Sequence, residues 1–108
     1  MRRGPIPDDV QEQAETVISG FNQKVIRDPD RYYVARYRGQ YLYLDRLVGG
    51  VPRRIARLAY DEIAGAWEFA IFKYSDERYD PEEWLFPGSG YLDGTIEGAL
   101  RAGLEAYT

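Results

Sequence analysis

The side chains able to do chemistry in this chain are few in kind. It contains no histidine and no cysteine, which removes Ser-His and Cys-His nucleophile systems, disulfides, thiolate-bound zinc and the commonest transition-metal ligand. Carboxylates, lysine, arginine, tyrosine and hydroxyls are left. They gather at Lys73-Tyr74-Ser75-Asp76 and in the densest acidic run, Tyr79-Asp80-Pro81-Glu82-Glu83-Trp84-Leu85-Phe86-Pro87-Gly88. Adjacent strand residues point to opposite faces, so Lys73 and Tyr74 are badly placed to share a proton, and Lys73 reads as a strand end. The acidic run reads as a helix start, with Asp80 as N-cap, Pro81 at the first position, Glu83 reaching back to the cap, and Pro87-Gly88 ending it after little more than one turn. Trp84, Leu85 and Phe86 would then plug the domain. The alternative is a cation or basic-partner site over residues 76–83, although the alternating ligands and turn glycine of a calcium loop are missing. Gly88-Ser89-Gly90-Tyr91-Leu92-Asp93-Gly94 fits neither phosphate-loop pattern and reads as a plain loop. These features predict no catalytic residue, no metal and no cofactor, and a protein that is not an enzyme.

A second constellation is built from arginine and tyrosine. Twelve of the fourteen cations are arginine, and ten of the sixteen aromatics are tyrosine, which favours planar, stacked and bidentate contacts. Charge is unevenly spread. Residues 1–60 hold eleven Lys/Arg against seven Asp/Glu, net +4, whereas residues 61–108 hold three against eleven, net −8. An acidic chain with one basic half argues against bulk nucleic-acid binding while allowing a local basic face.

The elements that must carry these side chains follow from periodicity. Val10, Ala14, Val17, Ile18, Phe21 and Val25 form one helical stripe that begins after Pro7 and stops by Arg27, before Asp28-Pro29-Asp30. Gly20 weakens the middle of that helix and offers a close approach to a sheet. Arg31 to Arg38, Gly39-Gln40 and Tyr41 to Val48 read as a two-residue hairpin, which sets Arg38 opposite Tyr41, Arg36 opposite Tyr43, Val34 opposite Asp45 and Tyr32 opposite Leu47. A third strand follows Gly49-Gly50-Val51-Pro52, with Leu44 expected against Leu58, Leu42 against Tyr60 and Asp45 against Arg57. Trp67 to Tyr74 makes a fourth. Ile96, Ala99, Leu100, Gly103, Leu104 and Tyr107 form the second helical stripe, capped by Asp93 or Thr95.

The whole is a single α+β domain over residues 1–108: an N-terminal helix, a four-stranded antiparallel meander, a short helical turn and a C-terminal helix, with the helices on one sheet face. That face takes Tyr33, Ala35, Tyr37, Leu42 and Leu44. The opposite face carries Tyr32, Val34, Arg36, Arg38, Tyr41, Tyr43 and Arg57, with Leu47, Ile55 and Phe72 beside them. Such a face suits a protein partner or a second copy of the chain, single-stranded nucleic acid being the alternative. A third reading is an ordinary wet sheet face on which Arg36 over Tyr43 and Arg38 over Tyr41 are local cation-π pairs. The start Met1-Arg2-Arg3-Gly4-Pro5-Ile6-Pro7 lacks a signal-peptide core and no apolar run could span a bilayer, so a cytoplasmic, non-membrane protein is expected.

Overall fold

The turn at Gly39-Gln40 decides the geometry of everything that follows. In the computed structural model, which describes residues 4–83 and 85–107, Gly39 takes φ 57°, a backbone state that glycine adopts without steric cost. It joins β1 (Arg31–Arg38) to β2 (Tyr41–Val48) in the register read from the sequence, with Arg38 opposite Tyr41, Arg36 opposite Tyr43, Val34 opposite Asp45 and Tyr32 opposite Leu47. Further antiparallel turns add β3 (Val51–Asp61), β4 (Ala66–Lys73) and β5 (Arg78–Asp80) in strict sequence order, giving a five-stranded open sheet. The fold is therefore the expected α+β architecture with one more strand. Arg78, Tyr79 and Asp80 pair with Lys73, Phe72 and Ile71.

Two helices, α1 (Asp8–Phe21) and α2 (Ile96–Ala106), cover one sheet face. From α1 come Ala14, Ile18 and Phe21, and from α2 Ile96, Ala99, Leu100 and Ala102. They meet Tyr33, Leu42, Leu44, Ala56 and Leu58, all nearly inaccessible to water. Val17 and Val25, expected in the first stripe, are exposed at 37% and 38%. Val25 lies beyond the α-helix, where the chain loosens into a π-turn over Asn22–Ile26, and the wider turn rotates it off the buried stripe. The turn closes at Arg27 in the left-handed region, φ 55°. Gly20 is not a packing glycine either, because a Cβ there would meet nothing within 4 Å.

Three expectations require correction. First, β2 and β3 pair two residues away from the predicted register up to Leu44, with Leu42 facing Leu58, Leu44 facing Ala56 and Tyr43 facing Arg57, and three residues away at Asp45, which faces Arg54. A shift of two preserves the sorting of faces, so hydrophobic alternation could not distinguish the registers. Second, pairing slips between Leu44 and Asp45, leaving Ile55 as the extra residue of a bulge. The bulge turns Ile55, expected on the outer face, into the core at 2% exposure beneath Gly103.

The third concerns the acidic run. Asp80 ends a strand instead of capping a helix. Its carboxylate accepts from the backbone N–H of Glu82 at 2.9 Å, which shapes a turn, and the short helical turn comes later, as a 3-10 turn over Ser89–Tyr91. Glu83 accepts from the Leu85 N–H at 3.0 Å. Leu85 points to solvent at 93% exposure, while Phe86 stacks on Phe69 with ring centroids 5.7 Å apart. Trp84, the third expected plug, and Met1, Arg2 and Arg3 of the N-terminal segment lie outside the described residues. α2 starts as expected, since the Thr95 hydroxyl accepts from the Gly98 N–H at 3.0 Å and itself donates to Asp93.

Candidate partner-binding face

Strand alternation places Tyr32, Val34, Arg36, Arg38, Tyr41, Tyr43 and Arg57 together on the sheet face turned away from the helices. Side chains of the face cover one another. The Arg57 guanidinium lies 4.3 Å from the Tyr41 ring centroid and 5.6 Å from that of Tyr79, Arg36 lies 4.9 Å from Tyr43, and Arg54 lies 5.5 Å from Phe72. The cation-π partner of Tyr41 is thus Arg57 from β3 rather than the expected Arg38. Each such contact contributes about 0.5 to 1 kcal/mol at a surface, and together they dry the sheet beneath: Ala70 and Phe72 are 3% exposed.

Beneath the arginines runs a chain of rings. Tyr43 meets Tyr79 edge to face at 5.3 Å, Tyr79 meets Phe72 at 4.9 Å, and Phe72 meets Tyr74 at 4.8 Å. These are the separations at which the positive edge of one ring meets the negative face of the next. Tyr79 and Arg54 belong to this face and were not singled out in the sequence. Tyr79 sits on the short β5 inside what read as a helix start, and Arg54 reaches its place through the bulge at Ile55. Charge alternation was the available signal, since Arg53 and Arg54 are adjacent and one of them must face outward.

The face holds one sunken carboxylate. Asp45 is only 4% exposed and receives a forked pair of hydrogen bonds from Arg36, Nε to Oδ2 at 2.5 Å and Nη2 to Oδ1 at 3.1 Å. The fork explains why Asp45 tolerates burial, because each oxygen has a charged donor. The Tyr79 hydroxyl is buried beside Arg36, Arg54 and Asp45 without a partner in bonding geometry. Burial, reinforced by the Asp45 charge, raises its proton affinity, so it remains a neutral donor at physiological pH. Arg36, Arg38 and Arg54 reach into solvent above this layer.

Residues 73–83 form a separate cluster. Lys73 Nζ lies 3.3 Å from Glu83, 3.7 Å from Asp80 and 3.8 Å from Asp76. The cation that the acidic run holds is thus the chain's own lysine, whose proton is held more tightly chiefly through the Glu83 carboxylate. Among the described residues no group of three or more acidic side chains is arranged to hold a metal ion. Tyr74 donates its hydroxyl to the Arg54 carbonyl at 2.8 Å, away from Lys73. No helix among the described residues is long and apolar enough to cross a membrane. Comparison of the chain with models of known protein families, with characterised proteins and with solved structures finds no match.

Proposed function

We propose that this chain is a non-catalytic binding module that docks an acidic protein surface, including that of a second copy, on its outer sheet face. The observation that carries the reading is the array of Arg36, Arg38, Arg54 and Arg57 on one plane above a floor of rings, in a chain whose formal net charge is −4. Arginine and tyrosine are the residue types that anchor protein interfaces. The aromatic floor also holds the arginines in place before a partner arrives, which lowers the ordering cost of binding. Single-stranded nucleic acid, the alternative, is less well supported. Base stacking needs open ring faces, and guanidinium groups already lie over Tyr41 and Tyr43.

A photo-crosslinker at Val34 in cells tests the docking face. The reading expects adducts that disappear when Arg38→Glu and Arg54→Glu are combined and persist when Glu12→Lys is made on the helical side. Adducts indifferent to the arginine reversals would overturn it. Sedimentation over a concentration series shows whether the partner is a second copy, and oligonucleotide titrations at two salt concentrations identify the nucleic-acid alternative by binding that weakens as salt rises.

A further inference from the structure

On the helical side of the sheet, two arginines occupy directly paired strand positions, Arg46 on β2 and Arg53 on β3. Like charges in cross-strand register repel, and among the described residues neither arginine is ion-paired with a carboxylate. Arg46 is 6% exposed. Its Nη2 donates to the Tyr107 carbonyl at the C-terminal end of α2, where the helix dipole supplies a fraction of a negative charge. Among the described residues its buried Nη1 has no partner in bonding geometry, and the Tyr33 hydroxyl is a neighbour of the guanidinium. A buried guanidinium with no carboxylate partner among the described residues is costly to maintain.

The two arginines share a groove of about 290 Å³ with Ile55, Tyr74, Ala106 and Tyr107. Arg53 stands on the exposed rim, and Arg46 forms the floor. One wall is aromatic, the rings of Tyr74 and Tyr107 meeting edge to face at 5.6 Å. Ile55 and Ala106 supply apolar surface. We propose that this groove binds a small oxyanion-bearing ligand, a carboxylate or phosphate group carried on a compact apolar body. Arg53 captures the oxyanion, the Arg46 charge beneath it offsets the negative charge, and the Tyr74 ring covers the body. Fork-shaped donors suit both anion types. The groove borders the outer face at Tyr74, but the two assignments rest on different arginines, and either stands if the other fails.

The test is titration of the full chain with inorganic phosphate, acetate and benzoate, against sodium chloride at matched ionic strength, followed by amide chemical shifts and thermal melting. Saturable shifts centred on Arg46, Arg53, Tyr74 and Ala106, with a melting temperature that climbs with phosphate or benzoate concentration, are expected. Phosphate and benzoate distinguish the two anion types, and benzoate against acetate reports the apolar wall. Arg53→Gln, at an exposed position, should weaken binding by about tenfold or more, whereas Arg38→Gln on the outer face should leave it unchanged. Arg46→Met should abolish it, and if that variant does not fold, Arg53→Gln decides alone. Shifts that chloride reproduces, no saturation with any of the three anions, or unchanged affinity in Arg53→Gln would each overturn the assignment.

Discussion

The side-chain amide of Asn22 pairs with the backbone of Tyr33 as a strand would, its Oδ1 accepting from the Tyr33 N–H and its Nδ2 donating to the Tyr33 carbonyl, both at 2.9 Å. β1 is an edge strand, and its unpaired backbone groups would otherwise offer a template to another chain. The π-turn that begins at Asn22 brings the amide to the edge, which gives this departure from α-helical geometry a structural use. Replacing Asn22 with Ala should cost about 1 to 2 kcal/mol. Asn22→Asp keeps the acceptor but sets a carboxylate against the Tyr33 carbonyl, and it should cost at least as much. Urea denaturation checks both, and light scattering should show faster association of the Ala variant through the opened edge.

Two helical glycines should respond with opposite signs. A Cβ on Gly103 would come within 2.6 Å of Ile55 Cγ2 and 2.7 Å of the Tyr33 hydroxyl, whereas one on Gly20 meets nothing within 4 Å. Gly103→Ala should therefore destabilise by about 1 to 3 kcal/mol through overpacking where helix meets sheet. Gly20→Ala should stabilise by about 0.5 to 1 kcal/mol, since it only restricts the unfolded chain and improves helix propensity. Paired thermal and urea melts decide both.

Tyr33 predicts the behaviour of the fold in alkali. Its hydroxyl donates to the Leu100 carbonyl at 2.8 Å in the core. Burial holds its proton well above the ordinary tyrosine value of 10.0, with neighbouring Arg46 opposing part of that effect. The unfolded chain releases this proton as pH passes 10 while the folded chain keeps it, so the contribution is fully present below that pH and declines above it. The slope should be about 1.4 kcal/mol per pH unit. Tyr33→Phe should lower stability near neutrality by about 1 kcal/mol and flatten the alkaline slope. Urea midpoints from about pH 8 to about pH 11 measure both effects.

Arg36 and Arg38 sit two residues apart on one face but differ in what they hold. Arg36 neutralises the buried Asp45 through its fork, while Arg38 has no bonded partner among the described residues. Arg36→Gln should cost about 1 to 3 kcal/mol, most of it from stranding a buried carboxylate and only a little from the exposed guanidinium itself. Arg38→Gln should stay within about 0.5 kcal/mol. A stability loss in Arg38→Gln equal to that in Arg36→Gln would show that the fork is not what supports Asp45.

The chain's local patterns fixed much of this architecture on their own. Gly39-Gln40 between two alternating segments set the first hairpin's register, because a two-residue turn leaves no slack. Alternation then sent Leu42 and Leu44 inward and Arg36, Arg38, Tyr41 and Tyr43 outward, and spacing marked most of the buried stripe of each helix. What tertiary structure decided is what local patterns leave degenerate. The β2–β3 register could move by two without altering either face, so the contact between Leu42 and Leu58 had to be chosen by packing. The bulge that buries Ile55 and presents Arg54 answers to Gly103 of α2, distant in sequence. Asp80-Pro81-Glu82-Glu83 satisfies helix-start chemistry, yet Tyr79 gains more by pairing opposite Phe72 and packing against Tyr43 than one helical turn could supply. Arg46 sits in the core because the end of a helix it meets 61 residues later gives its charge a carbonyl, a complement that no window of the sequence contains.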